Sequence, residues 1–556
     1  MRVSLRCTAL TALLLLVSCG GAERDDAGAV PDASSGQVAS GGPVYPLSHY
    51  AASRFAEQAS FGPTPALVTE IRTQGFEKWI DAQFALAPST LDAKPVEDYI
   101  DPVPDSQWVY WQNGVQQLLM TAPDQLRLRT TWSLSQFITT STRKGDVAGA
   151  VHWLNMLQKQ AFGGYADMLY QVSVSPYMAQ YLDNDQNRPK SAECPFCAPN
   201  ENFARELMQL FTLGVFKLNP DGTPMRNSKG GYVETYSQQD VEQLARVLTG
   251  WQHNPEPQNR PNRNWANWGK PMVPSSWPPE RDSGEKRVLG KTFPAGQSAP
   301  KDLQDTIALL MGHPNIAPFV SLRLIQHLVK SNPTPAYVGR VAAKFRNNGS
   351  GAAGDMKAVI KAVLLDAEAR AGDNPASVRS DDGKFREPAL HRAALYRALG
   401  CQRAPTGRRW PGYMLNTQPH FAPNSVFSYY APTDRAPGSN LLSPEQKLVN
   451  ATELVGRFGE LNWLRWDDAT RTNSLMNYSD AGCQIEALSR AFASSPRAFN
   501  DYLSQRFFRG AMPPTLRSNI EQLMRGDPFW DRNAPDDGAL RLLGYALATP
   551  YYGVIK

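Results

Sequence analysis

A mainly α, multi-helix globular body is what this sequence predicts, and three observations carry that reading. Apolar residues recur at three- and four-residue steps in many separate stretches. Clear two-residue alternation is scarce. Segments rich in Pro, Asn and Gly interrupt the helical rhythm only locally.

The elements follow in order. An apolar run closes at Leu118–Met120, and TWSLSQFI (Thr131 to Ile138) sits in another. In CPFCAPNENFARELMQLFTLGV, Pro199-Asn200 ends a loop and offers an amide oxygen to the orphan N–H groups of a first helical turn. Glu201 suits the positive end of that helix, Phe203, Leu207, Leu210 and Phe211 form its apolar face, and Gly214 stops it. Val215–Leu218, the turn Asn219-Pro220-Asp221-Gly222 and a return through Tyr232–Tyr236 predict a small β-hairpin insertion. Ser237, with Asp240 three residues on, then caps SQQDVEQLARVLTGW. Phe319, Leu322, Ile325 and Val329 share a helical face, and Lys357–Leu365, Leu390–Leu399 and Ala539–Ala548 repeat the pattern. Two long irregular stretches remain, Asn254–Pro300 (Pro, Asn and Trp) and Pro405–Pro444 (Pro, Tyr and Phe).

The N-terminus predicts export. Arg2 and Arg6 precede an apolar run from Ala9 to Val17, too short for the roughly 20 residues a bilayer span needs. LVSC followed by Gly20 resembles a bacterial lipobox, so residues 1–19 read as a lipoprotein signal ending at Cys19, the expected acylation site. Gly20, rather than an acidic residue, favours the outer membrane or cell surface. Residues 20–46 are mostly small and polar and read as a flexible tether. The body, 47–556, has room for two or more subdomains.

Composition excludes several classes. With 57 basic residues interleaved among 52 acidic ones, no basic stripe forms, and nucleic acid is not an expected partner. Once Cys7 leaves with the signal and Cys19 takes lipid, Cys194, Cys197, Cys401 and Cys483 remain, an even set for an oxidising compartment. The CPFC pair lacks the βαβ context of redox chemistry and the further ligands of a zinc site, so a Cys194–Cys197 disulfide is the expectation. No GxSxG, phosphate-binding loop or dinucleotide fingerprint occurs, and the seven histidines lack ligand spacing.

Three groups of residues could carry function. Glu201 and Arg205 lie four apart on one helical face, as do Asn202 and Glu206, and Arg246 lies four after Glu242 on the next helix. Glu201, Arg205, Glu206 and Asp240 are therefore either ion-pair members that fix packing or the wall of an acid–base site. If the hairpin brings the helices together, Arg205 and Arg246 are expected to pair with Glu206, Glu242 or Asp240. Asp183, Asp185 and Asn187 alternate as in the first half of a calcium loop, but Arg188 stands where the turn glycine belongs and Cys194 where the closing Glu does. An Asx-rich turn is the plainer reading, and no cofactor is otherwise expected. Trp265, Trp268 and Trp277 in a polar loop suggest indole faces for stacking sugar rings, against ordinary loop packing.

PNENFARELMQLFTLGV, NPDG and YSQQDVEQLARVLTGW together resemble a large bacterial family known as domain of unknown function 1800. The likeness extends to RFAEQASFGPTPALVTEI, HPNIAPFVSLRLIQHLV, GDMKAVIKAVLLDAEAR, FREPAL and APNSVFSYY, and so covers nearly the whole body. It implies an exported, mostly helical protein, often encoded beside a sulfatase-like protein, and no agreed catalytic residues. Many members carry His where Phe211 stands and His-Asp where Arg281-Asp282 stands, so a metal site built on those histidines is not available to this chain. Two functional expectations follow: an accessory envelope lipoprotein that binds a glycan or a sulfatase-like partner through its aromatic loops, or a periplasmic hydrolase or lyase using the Glu/Arg/Asp cluster.

Overall fold

The periodic stretches become helices whose starts are set by local chemistry. In the computed structural model Ser48, Thr64, Asp146, Ser175, Thr334 and Asp355 each accept a first-turn N–H through a side-chain oxygen. Such caps stabilise a helix by about 1 kcal/mol each. Ser237 and Asp240 form the expected reciprocal box at the start of Gln238–Val247. Asn200 accepts from Asn202 N at 2.9 Å, so its amide meets the orphan donor even though Glu201 occupies the cap position of Asn202–Gln209.

The structure describes residues 45–97, 105–185, 187–255, 267–402, 417–464, 483–526 and 535–556. Cys19, nearly all of the tether and Trp265 lie outside them. From Tyr45 to Lys556 the chain forms one unit. Helices dominate it, and the sheets among the described residues are three antiparallel pairs. Trp251–Gln252 pairs with Val273–Pro274, Lys286–Val288 with Lys291–Phe293, and Lys384–Phe385 with Val554–Ile555.

The expected hairpin is more folded than a single return. Gly222 N closes a turn on Asn219 O, and Met225 N then bonds Lys217 O at 2.7 Å. A second turn, Asn227–Gly230, sends the chain back so that Lys217 N reaches Val233 O and Thr235 N reaches Val215 O. Asn227 and its following glycines supply this unanticipated reversal, with Gly230 at φ +81°.

Two apolar clusters fill the interior. The larger surrounds the helix Gln125–Ser135, every residue of which is buried. Several of its polar members bond inside the protein, as when Arg129 Nη2 donates to His327 O at 2.7 Å. The second joins the end of Pro388–Ala398 to Leu488, Phe492, Phe499, Leu503 and Leu543. A Cys401–Cys483 disulfide closes this cluster across 82 residues, worth about 4–5 kcal/mol in chain-entropy terms. Cys194 and Cys197 are also bonded, and the short loop they close leaves Phe196 99% exposed at its tip. No described helix is long and apolar enough to cross a membrane.

Candidate functional site

The helix Asn202–Gln209 places Asn202 and Glu206 side by side, and both line a cavity of about 420 Å³. The opposite wall comes from Arg143, Lys144 and Pro423–Val426. These two segments are stapled together: Thr142 N donates to Phe421 O, Ser141 Oγ to Pro423 O, and Arg143 Nε to Ala422 O. Phe421 and Ser428 take left-handed backbones (φ +51° and +66°), which fold this stretch of the Pro-rich region into a tight wall. Asp183, also left-handed at φ +57°, closes the cavity floor with Tyr181.

Glu206 is the unusual group. The residue is 9% exposed, and its Oε2 is buried without a hydrogen-bond partner. Burial raises its pKa to about 7, against a weaker lowering by Arg205. Tyr181 beside it is pushed up to about 12, by burial and then by the Glu206 charge. Lys144 Nζ sits 2.5 Å from Asp183 Oδ1 and 2.8 Å from Tyr181 O, and Asn202 Nδ2 donates to Asp183 Oδ2 at 2.9 Å. The Lys144 and Asp183 charges thus cancel. With Glu206 protonated, Arg143 leaves the cavity one positive charge in excess.

The other members of the polar cluster go elsewhere. Arg205 pairs with Glu201 at 2.7 Å along its own helix, both side chains being more than a third exposed, and Gln238 of the next helix bonds both. Arg246 binds Asp282 through Nε and Nη2 at 2.7 and 3.1 Å. The helices do meet, but neither arginine bonds Glu206, Glu242 or Asp240, because Asp282 and Glu201 lie closer to the guanidinium groups. Asp240 is occupied as a cap: Ser237 N and Oγ donate to one oxygen and Leu289 N to the other. Burial raises its pKa, but these donors outweigh burial and hold it below the usual range. Of Glu201, Arg205, Glu206 and Asp240, only Glu206 lines the cavity.

Asp183, Asp185 and Asn187 diverge. Asp183 serves Lys144 and Asn202, and Asp185 approaches His253 at 3.6 Å. Asn187 is buried, donating to Asn184 and Ala245 O and accepting from Asn200 N. Among the described residues, no group of three His, Cys, Asp or Glu could hold a metal ion. Trp268 is buried edge-on to Tyr177 and His253, so its faces meet protein, whereas Trp277 is exposed. Arg143, Lys144, Tyr181 and Ser425 are the cavity residues that spacing did not reveal. The available signal was APNSVFSYY, a stretch that carried the family likeness without a role.

Neither a curated protein nor a solved structure matches the chain. The family described as Protein of unknown function (DUF1800) matches residues 54–554, nearly the whole chain, and the protein belongs to that family.

Proposed function

We propose that the protein is an exported lyase acting on a carboxylated sugar polymer, with Glu206 as the proton-transfer group. The observation that carries this reading is a buried carboxyl, raised to about 7 and lacking a partner for Oε2, on the wall of an open polar cavity. A group with a pKa near the working pH is an effective acid and base in turn. Arg143, the cavity cation not paired with a carboxylate among the described residues, offers the positive charge that would hold a substrate carboxylate and so acidify its neighbouring C–H. Ionised Glu206 then takes that proton, the C–O bond to the next sugar breaks, and the protonated carboxyl returns its proton to the leaving oxygen. Hydrolysis by two carboxylates is supported less well, since Lys144 and Asn202 occupy both oxygens of Asp183. Export, with Cys19 acylated and the body at the outer membrane or cell surface, is part of the same proposal and rests on the N-terminal sequence.

The test is incubation with uronate-containing polysaccharides, following new reducing ends and the ultraviolet absorbance of unsaturated uronate. Cleavage by the native protein and none by Glu206→Gln at an undiminished melting temperature is the expected result. Cleavage that survives in Glu206→Gln overturns the assignment.

A second reading, an accessory protein for a sulfatase-like partner, draws on a different surface. The hairpin leaves Val215, Met225 and the ring pair Phe216–Tyr232, with centroids 4.9 Å apart, exposed. Loss of partner capture in Phe216→Ser with polymer cleavage absent throughout favours this reading over the lyase.

A further inference from the structure

A second, larger cavity of about 570 Å³ lies against the helix Pro496–Phe507 and the segment Pro550–Val554. Its charged lining residues are Arg386, Arg509, Asp382 and Lys556, and the guanidinium groups of Arg386 and Arg509 are held by one buried carboxylate, Glu57. Arg386 Nη2 binds Glu57 Oε1 at 2.7 Å, and Arg509 Nε binds Oε2 at 2.6 Å. The non-glycine Arg509 holds φ +58°, a strained backbone that persists only where surrounding contacts fix it.

One carboxylate between two guanidinium groups leaves the Glu57–Arg386–Arg509 cluster with an excess positive charge. Arg386 gives Nε to Tyr552 O and Nη2 to Glu57, and among the described residues its Nη1 has no hydrogen bond. Asp382, an acidic residue on the same wall, turns its oxygens to Lys330 Nζ at 2.7 Å and Arg379 N at 2.9 Å rather than to either arginine, and shares Lys330 with Glu368. Tyr50, Phe508, Tyr551 and Tyr552 line the same cavity and supply aromatic surface beside the arginines. The Arg386 guanidinium already lies 4.3 Å from the Tyr552 ring centroid.

We infer that this cavity is a binding site for an aromatic monocarboxylate, the ring stacked among the tyrosines and the carboxylate seated on Arg386 and Arg509. Arg386 Nη1, left without an acceptor among the described residues, can give a charge-assisted hydrogen bond to a ligand carboxylate, and the volume suits a small organic molecule. The site shares no residue with the Glu206 cavity, so it stands or falls apart from the lyase proposal.

Calorimetry with naphthoate tests it, with naphthylmethanol supplying the ring without the charge and inorganic phosphate the charge without the ring. Naphthoate is expected to bind roughly tenfold or more tightly than either, as a lost anchoring contact implies. Ser380→Trp, at an exposed position lining the cavity, leaves the arginine network intact and should abolish naphthoate binding, and Tyr551→Ala should weaken it if the tryptophan variant fails to fold. Glu206→Gln should bind naphthoate like the native protein. Equal binding of the alcohol or of phosphate, or unchanged naphthoate binding in the cavity variants, overturns the inference.

Discussion

Glu57 and Glu206 are both buried, at 4% and 9% exposure, and their surroundings give them opposite chemistry. Burial pushes both carboxyls up. At Glu57, Arg509 and Arg386 more than offset burial and hold the group below the ordinary range. At Glu206 the pull of Arg205 is too weak, and the carboxyl rises to about 7. The partners of Glu57 arrive from 329 and 452 residues along the chain, whereas Arg205 is a sequence neighbour turned outward to Glu201. A clamped carboxylate ties distant segments together; an unclamped one is free to exchange a proton.

The largest effect that sharpens this contrast is at Glu57. Glu57→Gln leaves two buried guanidinium groups without their counter-charge, a loss of about 3–5 kcal/mol near neutral pH by urea denaturation. Because the folded state lowers the pKa of Glu57, it binds fewer protons there than the unfolded chain does. The stabilisation is therefore present above the ordinary Glu range and fades as pH falls through the folded value, and the penalty of the variant should fade with it. A cost below about 1 kcal/mol would show that the cavity solvates the arginines well enough without Glu57.

Glu206 should behave in the reverse sense. Its folded pKa lies above the ordinary 4.5, so between 4.5 and about 7 the folded state binds more protons and stability falls as pH rises. Glu206→Gln removes that loss. The variant should be more stable than the native protein near pH 8, by up to about 3 kcal/mol, and indistinguishable from it near pH 4. Denaturation curves at the two pH values decide this, and an equal shift at both would mean that the glutamine changes packing rather than charge.

What the sequence made legible follows from how far apart the interacting residues are. The Ser237–Asp240 box and the shared face of Asn202 and Glu206 are local consequences of helical period, and both are present. The mainly α fold was readable for the same reason. Arg143, Lys144 and Pro423–Val426 meet Glu206 only through tertiary packing, and no spacing rule connects them. Asp240 looked like a site residue because it is acidic beside a polar helix, yet its capping geometry uses both oxygens. Trp268 lies in a polar stretch, and only the packing of Tyr177 and His253 against it makes it core.

Two arginines give the smaller effects. Arg246 makes two bonds to Asp282, whose carboxylate is mostly buried, so Arg246→Met should cost about 1–3 kcal/mol. Arg205 and Glu201 are 37% and 35% exposed and four residues apart, the geometry of a surface pair, so Arg205→Met should cost less than about 0.5 kcal/mol. Its value as a test lies in Glu206. Arg205 is the charge that lowers the Glu206 pKa against burial, so removing it should move the Glu206 titration to higher pH. Carbon-detected NMR of the Glu206 carboxyl reads this directly. An upward shift with little change in melting temperature separates tuning of the Glu206 carboxyl from support of the fold. An unmoved titration with a large loss of stability would instead place Arg205 with the clamp at Glu57, as a structural charge.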